Sequence, residues 1–299
     1  MSEVVDEGPR GDNPPPWISP VSYWIPSHIV ESAWLRHGSF AAWIVGALRP
    51  RTLVELGTHN GFSYFTFVEA ARRLGLDMRS WAVDTWEGDE HAGFYGDEIF
   101  ELVSGVNEPY EASSTLVRGY FADQLDRFDD GSIDLLHIDG RHRYEDVRED
   151  FELYLPKVSD RGVVLFHDIA ETSGDFGVYR LWDEIASRYP SYAFSHEHGL
   201  GVLFVGAKLA PDLETFLEVA GTEASSIQSD YERLGSEISA YRDRQRMLRD
   251  AMTQVSERDA EIVRLEADIV RLGAELVAMR QSRSWKVTAP LRRLRGGSS

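Results

Sequence analysis

Carboxylates and histidines stand together after two apolar runs of the sequence. The first run, LLHIDGRH, reaches Asp139 and continues to His142. The second run, GVVLFHDIA, ends at His167 and Asp168. If both runs are neighbouring parallel strands, their ends meet at one edge of a sheet and Asp139 and Asp168 share a site. Two carboxylates beside imidazoles suit a divalent metal, although Asp residues in such places also cap helices or fix loops without one.

A turn with two glycines follows an earlier apolar run. The segment VELGTHNGF places Gly57 and Gly61 where a strand turns into a helix, and glycine there lets a ligand approach the backbone. A dinucleotide fingerprint would need glycine where His59 and Phe62 stand, and no phosphate-loop GK[ST] follows. The wider turn suits a ligand that has no pyrophosphate, although many α/β folds place glycines here for packing.

An acid ends the next apolar run. Asp84 lies 23 residues after Gly61 in the sequence. An acid at about this spacing holds the hydroxyl pair of a ribose in nucleotide-binding folds. Asp is also a common cap or turn residue. The full order of strand, glycine turn, helix, strand and acid arises by chance less often than the glycine turn alone or the acid alone. The combination therefore favours Asp84 as a residue that binds a ribose.

Alternating strands and helices must position these residues. Apolar runs predict strands at 52–56, 80–84, 114–118, 133–139, 162–168, 192–196 and 200–205. Helical patterns lie between most of them, at 61–75, 96–105, 120–127, 142–155 and 177–189. The alternation predicts an α/β fold with a doubly wound, mostly parallel seven-stranded sheet, and the short link between the last two strands predicts an antiparallel hairpin. Ligands bind at the carboxyl ends of the strands of such sheets, where the polar residues described above lie.

The composition excludes several kinds of site and partner. The chain has 299 residues, no cysteine and a formal net charge of −19. Without cysteine there is no disulfide framework, thiolate zinc site, iron–sulfur cluster or cysteine nucleophile. A negative charge of this size argues against nucleic acid as a partner, because a phosphate backbone would be repelled.

The chain divides into four parts by composition. Residues 1–16 are acidic and rich in Pro and Gly, so we expect a disordered leader. Residues 17–210 carry the α/β pattern, residues 222–280 are nearly free of Gly and Pro, and residues 281–299 form a basic, amphipathic tail. No signal peptide or membrane-spanning run is visible, so a cytoplasmic protein is expected.

A heptad repeat predicts a coiled coil over residues 227–279. Apolar or aromatic residues recur at every seventh position: Ile227, Leu234, Tyr241, Leu248, Val255, Ile262, Ile269 and Leu276. A second seam, three residues later, holds Leu265, Leu272 and Met279. We expect a homo-oligomer through this segment, in preference to a helix folded back on the globular domain, because a monomer would leave the stripe exposed to water.

The strand, glycine turn and acid together resemble the class I S-adenosylmethionine-dependent methyltransferases, over residues 45–206. The resemblance implies a Rossmann-like methyltransferase fold and S-adenosylmethionine as cofactor. The residues that it implies for cofactor binding are Glu55, Gly57, Thr58, Gly61 and Ser63 on the methionine side, and Asp84 at the ribose. Intact residues at these positions argue against a degenerate domain.

The segment from Asp139 to His142 is similar to the metal-dependent sugar O-methyltransferases. That resemblance implies that Asp139 and Asp168 bind a divalent metal, Mg²⁺ or Mn²⁺, and that His142 is the general base. His167 stands where an acid would be expected, so it is either a third ligand that favours a softer metal or no ligand at all.

The segment DTWEGDEHAGFYGDE resembles bacterial methyltransferases found with polysaccharide-biosynthesis enzymes. A loop rich in Trp, Tyr, His and Asp could stack on a sugar and bind its hydroxyls, or its Trp could pack over the cofactor. His91 in this loop is a second candidate for the base.

The basic tail is similar to tails of surface-glycan enzymes. Lys286 and Arg292 are among the basic residues that surround Trp285, a pattern that could rest on an anionic membrane surface. We expect the tail to contact the inner face of the membrane or a glycan-assembly partner. A solvated extension, or one that pairs with the acidic body, is the alternative.

The sequence therefore predicts a methyltransferase that acts on a sugar or glycan hydroxyl in bacterial surface-polysaccharide synthesis. Two alternatives stay open: a small-molecule O-methyltransferase of secondary metabolism, and a non-catalytic scaffold that acts through its coiled coil. The stretch at 17–34, rich in Trp and Tyr, either covers the site or, for most of its length, forms an amphipathic helix on the sheet.

Overall fold

The computed structural model describes residues 14–89 and 93–290. Its helices are α1 Gly38–Leu48, α2 Phe62–Arg73, α3 Asp97–Asn107, α4 Tyr144–Tyr154, α5 Val178–Ile185, α6 Pro211–Ala220, α7 Ala224–Gln281 and α8 Arg283–Val287. Its strands are β1 Thr52–Leu56, β2 Arg79–Asp84, β3 Gly88–Asp89, β4 Gly93–Phe94, β5 Ser114–Arg118, β6 Ile133–Ile138, β7 Val158–His167, β8 Ser191–Phe194 and β9 Leu200–Phe204. Residues 1–13 of the predicted leader, His91, and residues 291–299 of the tail lie outside the described residues.

Seven strands form one sheet in the order β5-β2-β1-β6-β7-β9-β8. β1 pairs in parallel with β2 and with β6, β2 with β5, and β6 with β7. β9 pairs antiparallel with β7 and with β8. The predicted fold class is confirmed: a doubly wound, mostly parallel sheet of the Rossmann-like methyltransferase type with an antiparallel C-terminal hairpin.

The central strands are buried on both faces, which is why they are nearly continuous apolar runs. All six residues of β6 are buried. One face packs against α1, α2, α6 and the start of α7, and ten of the eleven residues of α1 are buried there. The opposite face packs against α4 and α5. Both layers of helices leave the carboxyl ends of the parallel strands open to ligands.

Several element bounds differ from the expected ones for local reasons. The expected helix at 120–127 is a 3₁₀ helix at Ala122–Arg127, a conformation that short connectors often take. Helix α5 ends at Ile185 rather than at residue 189, and Pro190 disfavours the helical conformation of the residue before it. Residues 17–34 hold a 3₁₀ turn at Pro20–Tyr23 and no α-helix, because Pro20 and Pro26 cannot sit inside one.

Helix α7 begins inside the globular part of the chain. The first compact unit extends to Arg242, and the second begins at Asp243. Ile227 and Leu234, the first two residues of the heptad repeat, are buried in the core of the first unit together with Tyr231 and Ile238. In the second unit, the heptad side chains from Leu248 to Leu276 are between 50% and 69% exposed. The coiled coil stays a prediction for this second stretch.

Among the described residues, no helix has both the length and the apolar character that crossing a lipid bilayer requires.

Candidate active site

The candidate site lies at the carboxyl edge of the parallel strands. Strand register pairs Leu56 of β1 with Val83 of β2 and with Ile138 of β6. β6 in turn pairs Ile138 with Phe166 of β7. The residues that follow these positions therefore meet at one edge, as the sequence predicted for the two carboxylates after β6 and β7.

Asp84 holds the glycine turn in place. Its Oδ2 accepts hydrogen bonds from the backbone N–H groups of Thr58 (2.7 Å) and His59 (2.9 Å). Its Oδ1 accepts one from the backbone N–H of Trp86 at 2.7 Å. The acid at the end of β2 thus fixes the loop after β1, and the sequence spacing alone did not reveal this role.

Gly57 is required by a close approach of two backbones. Its φ is +88°, and a Cβ atom there would lie 2.1 Å from the carbonyl oxygen of Asp139. Gly57 N–H also donates to the carbonyl of Val83 at 2.9 Å. The turn after β1 is therefore pressed between the ends of β2 and β6, and only glycine fits.

A first cleft of about 230 Å³ opens beside Asp84. Its walls come from the ends of β1, β2, β5 and β6 and from one side of α4: Gly57, His59, Asp84, Thr85, Gly88, Tyr95, Tyr120, Phe121, Ala122, Asp139, Gly140, Arg141, His142, Asp146, Glu149, Asp150 and Leu153. Tyr95 stacks on His59, with ring centroids 5.1 Å apart. This cleft combines aromatic walls with carboxylates.

A second cleft of about 730 Å³ adjoins the first. Four residues line both: Gly57, His59, Asp139 and His142. The second cleft also receives residues 31–35, residues 197–198 of the β8–β9 turn, and Ser239 and Arg242 of α7. A small molecule in one cleft would therefore meet a second molecule in the other at Asp139 and His142.

Two carboxylates and two imidazoles form a charged cluster at this junction. His142 Nε2 lies 2.9 Å from Asp168 Oδ2 and 3.8 Å from Asp139 Oδ1. His167 Nδ1 lies 3.2 Å from Asp139 Oδ1 and 3.3 Å from Asp168 Oδ1. Each carboxylate therefore contacts both rings, and the cluster balances its own charge.

The pKa values within this cluster follow from burial opposed by the neighbouring charges. Burial alone would lower the pKa of His142, but its contacts with Asp139 and Asp168 outweigh burial and raise the pKa to about 10. Burial would raise the pKa of Asp168, but His167 and His142 lower it to about 2. His142 therefore carries a proton at neutral pH when nothing else is bound to the carboxylates.

Three of these residues could hold a metal ion. Asp139, His142 and Asp168 each offer one ligand atom, and the three atoms lie within 4.8 Å of one another. His167, which the resemblance left either as a third ligand or as no ligand, is not part of this group of described residues. Its Nδ1 instead contacts both carboxylates, which makes it a residue that orients them. Oxygen ligands with one imidazole suit Mg²⁺ less well than Mn²⁺, and either ion would have to share Asp168 with His167.

The predicted cofactor residues divide between the two clefts. Thr58, Gly61 and Ser63 line the second cleft, and Asp84 lines the first. Glu55 is fully buried in β1, and its Oε2 lies 2.8 Å from Nδ1 of His137, which is equally buried. Burial raises the pKa of Glu55, and the hydrogen bond to His137 opposes that effect. Glu55 therefore lies in the core beneath the glycine turn.

The loop after β2 packs against the body of the protein. Trp86 is fully buried, its ring lies 4.9 Å from that of Phe100, and its Nε1–H donates to the carbonyl of His59. This indole is therefore a structural part of the loop and is not exposed for stacking on a sugar. Tyr95, from the same stretch, does line the first cleft.

Strained backbone marks Asp168, which the sequence analysis named, and two residues that it missed. Asp168 has φ +61°, and in the β8–β9 turn Glu197 and His198 have φ values of +47° and +64°. Such conformations in residues other than glycine concentrate at functional sites. Glu197 accepts a hydrogen bond from the backbone N–H of Arg36, so it joins the N-terminal segment to this turn. The EHG tripeptide between two strands was the one sign of this turn in the sequence.

The central part of the chain matches a known protein family. Residues 54–169 match a family described as a methyltransferase domain. The matched segment contains the glycine turn, Asp84 and the cluster of Asp139, His142, His167 and Asp168.

The chain is also similar to a bacterial protein over most of its length. The protein y4gI of Sinorhizobium fredii is 47% identical over 238 residues, which cover 78% of this chain. The chain spans only 26% of the length of that relative.

Two solved methyltransferase structures resemble the chain. TomG of Streptomyces achromogenes, an O-methyltransferase of tomaymycin synthesis solved with S-adenosylmethionine, is 16% identical with a TM-score of 0.44, covering 60% of this chain and 83% of its own. An O-methyltransferase of Bacillus cereus, solved with S-adenosylhomocysteine, is 16% identical with a TM-score of 0.42, covering 60% of this chain and 84% of its own.

Proposed function

We propose that the chain is an S-adenosylmethionine-dependent methyltransferase that methylates a sugar hydroxyl in bacterial surface-polysaccharide or glycan synthesis. The observation that carries the proposal is the junction of two clefts at Asp139 and His142, with Asp84 in the wall of one of them. One cleft would take the cofactor and the other the acceptor. The methyltransferase domain at residues 54–169 supports the class of reaction.

The first cleft suits the adenosyl part of the cofactor. Oδ2 of Asp84 already accepts two backbone hydrogen bonds, but Oδ1 accepts only one, so Oδ1 can also accept a ribose hydroxyl. The hydroxyl of Thr58 is buried, and among the described residues it has no hydrogen-bond partner. Because Thr58 lines the second cleft, the methionine end of the cofactor would reach across the junction and use this hydroxyl.

The chain's own residues would contribute mainly by orientation. When bound, S-adenosylmethionine supplies an activated methyl group on a sulfonium, which is transferred in line to an acceptor oxygen. The junction would hold an acceptor hydroxyl close to His142 and Asp139, and such orientation would lower the barrier without a covalent intermediate. The walls of both clefts would exclude water from the sulfonium.

The base assignment and the metal assignment depend on each other. His142 can take a proton only when it is neutral, and Asp139 and Asp168 raise its pKa to about 10. A divalent cation held by Asp139 and Asp168 would offset their charge, so that His142 could be neutral and take a proton, and it would polarise the acceptor hydroxyl. His167 would keep both carboxylates oriented toward the junction. Methyl transfer should therefore require a divalent metal.

The second cleft suits a polyhydroxylated acceptor. Carboxylates at Glu31 and Glu171 and hydroxyls at Ser173 and Ser239 line it, and such groups bind sugar hydroxyls. Phe176 stacks on His142 with ring centroids 4.8 Å apart, so an aromatic ring lies beside the proposed base.

The proposal is tested by following methyl transfer from radiolabelled S-adenosylmethionine to a panel of acceptors. The panel holds free sugars, nucleotide-linked sugars and simple phenols, each with Mg²⁺, with Mn²⁺ or with a chelator. We expect label on a sugar, and loss of transfer with the chelator. Label on phenols alone would contradict the sugar assignment, and transfer that persists with the chelator would contradict the metal.

The variant His142→Gln tests the base. We expect turnover to fall by about a hundredfold or more, the usual contribution of a positioned base, with cofactor binding nearly unchanged. His198→Gln is the matched control, because His198 lines the same cleft but pairs with Glu171 at 3.0 Å. Equal losses of cofactor binding and turnover in His142→Gln would remove the assignment of His142 as base.

A further inference from the structure

A buried imidazole from the N-terminal segment packs against the charged cluster. His37 ends the 3₁₀ turn Leu35–His37, just before α1, and is fully buried. Its ring meets that of His167 nearly at a right angle, with ring centroids 5.7 Å apart. Because His167 contacts both carboxylates of the cluster, His37 is separated from the candidate metal ligands by a single side chain.

Each of the two rings has one nitrogen whose partner is missing. His167 directs Nδ1 at Asp139 and Asp168, and its Nε2 is buried and has no hydrogen-bond partner among the described residues. His37 contacts the backbone carbonyl of Glu197 through Nε2 at 3.3 Å, and within the described ranges its buried Nδ1 likewise has no partner. Buried polar atoms that stay unpaired cost free energy, so both nitrogens call for a partner.

The two nitrogens are complementary in hydrogen bonding. A carbonyl oxygen only accepts, so Nε2 of His37 carries the hydrogen and Nδ1 has the free lone pair. Burial, followed by the charges of His167 and His196, lowers the pKa of His37 well below its ordinary value, so this ring stays neutral. Two carboxylates at Nδ1 of His167 favour the charged form of that ring, in which Nε2 is a donor.

Trp34 offers a second buried donor beside His37. Its Nε1–H has no partner among the residues that the structure describes, and its ring lies 5.3 Å from that of His37. The ring of His137 lies 5.1 Å from the indole on another side, and Nε2 of His137 is also without a described partner. Trp34 therefore has an acceptor other than His37, which leaves Nδ1 of His37 for His167.

We propose that His37 is a positioning residue that accepts a hydrogen bond at Nδ1 from the Nε2–H of His167, directly or through one water. His167 in turn keeps Asp139 and Asp168 oriented toward the junction, so His37 fixes the geometry of the candidate metal ligands without touching them. The consequence for catalysis rests on the proposed function, because it takes the cluster to be the reacting junction.

Two amide side chains separate the two sides of the His37 ring. Asparagine places its amide group near the position of Nδ1, and glutamine places its amide group near that of Nε2. His37→Asn therefore keeps an acceptor for His167 and loses the contact with Glu197, whereas His37→Gln does the reverse. A merely structural role through Glu197 would be preserved in His37→Gln, and the proposed role would be preserved in His37→Asn.

Nuclear magnetic resonance of the full chain with ¹⁵N-labelled histidine observes the bond itself. The ring signals of His167 are assigned by their loss in His167→Gln. We expect the Nε2–H proton of His167 to be shielded from exchange with water in the wild type and in His37→Asn, and to exchange rapidly in His37→Gln. His196→Gln is the matched control, because His196 lies 4.6 Å from His37 with ring planes only 31° apart and pairs with Gln228 instead, so the signal should remain.

Methyl transfer measures the consequence for the site. We expect turnover of His37→Gln to fall by about tenfold to a hundredfold, the usual effect of losing a residue that orients metal ligands, while the affinity for S-adenosylhomocysteine stays unchanged. His37→Asn should recover most of the turnover.

Three results would overturn the inference. They are free exchange of the His167 Nε2–H proton in the wild type, a shielded proton in His37→Gln, and equal losses in His37→Asn and His37→Gln. A wild type that transfers no methyl group to any acceptor would instead contradict the proposed function. The resonance of His167 would then still decide whether His37 holds this ring.

Discussion

At the scale of single residues, the candidate site contains ionisable side chains whose neighbours shift their pKa values away from the ordinary ones. Asp139 and Asp168 surround His142 and raise its pKa, while burial among other acids raises the pKa of Asp150. The first arrangement keeps charge on His142 at the junction, and the second reduces the charge of Asp150 in the wall of the first cleft. These opposite effects on charge have separate, measurable consequences.

Replacing Asp150 should stabilise the folded protein at high pH. The pKa of Asp150 is about 7 in the folded protein against an ordinary value of 3.8. A raised acid pKa means that the folded state holds the proton more tightly, so this residue's contribution to stability is lost as pH rises from about 4 to about 7. Asp150→Asn should therefore melt a few degrees above the wild type at pH 8, and the gap should close near pH 4.

Thermal unfolding of both proteins at the two pH values provides the measurement. Glu149→Gln, on the exposed neighbour, should show much less dependence on pH. A gap between Asp150→Asn and the wild type that is the same at pH 4 and at pH 8 would contradict the raised pKa.

Sequence spacing predicted the positions of the principal site residues but not their contacts. Asp84, Asp139 and Asp168 each follow an apolar run, and a parallel sheet brings such positions to one edge. Asp150 and Glu197 could not be found in this way, because they reach the clefts from a helix face and from a turn distant in sequence. The role of Asp84 in holding the glycine turn depends on three backbone hydrogen bonds that no spacing rule predicts.

At the scale of elements, the turn after β1 connects the two clefts. It is held by Asp84 from β2, and Gly57 packs directly on the backbone of Asp139 after β6. Any shift of this turn would move one wall of each cleft at once. The backbone of the turn should therefore be intolerant of even one added carbon atom.

Gly57→Ala tests this constraint. The left-handed φ alone costs roughly 1 kcal/mol, and the 2.1 Å approach of the new Cβ to Asp139 forces the strands apart, so we expect a total loss of about 3 kcal/mol in the free energy of unfolding. Gly75→Ala is the matched control, since Gly75 has φ +64° and a Cβ atom added there would have no other atom within 4 Å. Denaturant unfolding would measure both, and equal losses would contradict the proposed clash.

Strong apolar runs predicted the elements well, and weakly patterned segments escaped prediction. All seven strands of the sheet were expected close to where they lie, because each contains a short apolar run and the central parallel strands are buried on both faces. The two-residue strands β3 and β4 are too short to show an alternating pattern. Helix α1 is apolar on nearly all sides, so it shows no amphipathic period from which its bounds could be predicted.

At the scale of the whole molecule, the heptad repeat has two parts in different surroundings. Its first residues pack in the globular core, and those of the second unit are exposed. Exposed apolar seams of this length seldom stay unpaired in water. We therefore propose that residues 243–281 associate with a second copy of the chain, as the repeat predicts.

Sedimentation of seam variants tests this association. Ile262→Lys with Ile269→Lys places charges in the seam and should shift the protein to monomers. Val263→Lys is the matched control, because Val263 is 65% exposed but lies outside the seam, so the oligomer should survive. A wild type that sediments as a monomer at micromolar concentration, or a control that dissociates as readily as the seam variant, would contradict a coiled coil.

The central claim is that the cleft beside Asp84 binds S-adenosylmethionine. Titration calorimetry of S-adenosylmethionine into the full chain tests it most directly. We predict saturable binding of one molecule per chain, strongly weakened in Asp84→Ala even where circular dichroism shows that this variant is folded. A folded wild-type protein that takes up no S-adenosylmethionine would contradict the account.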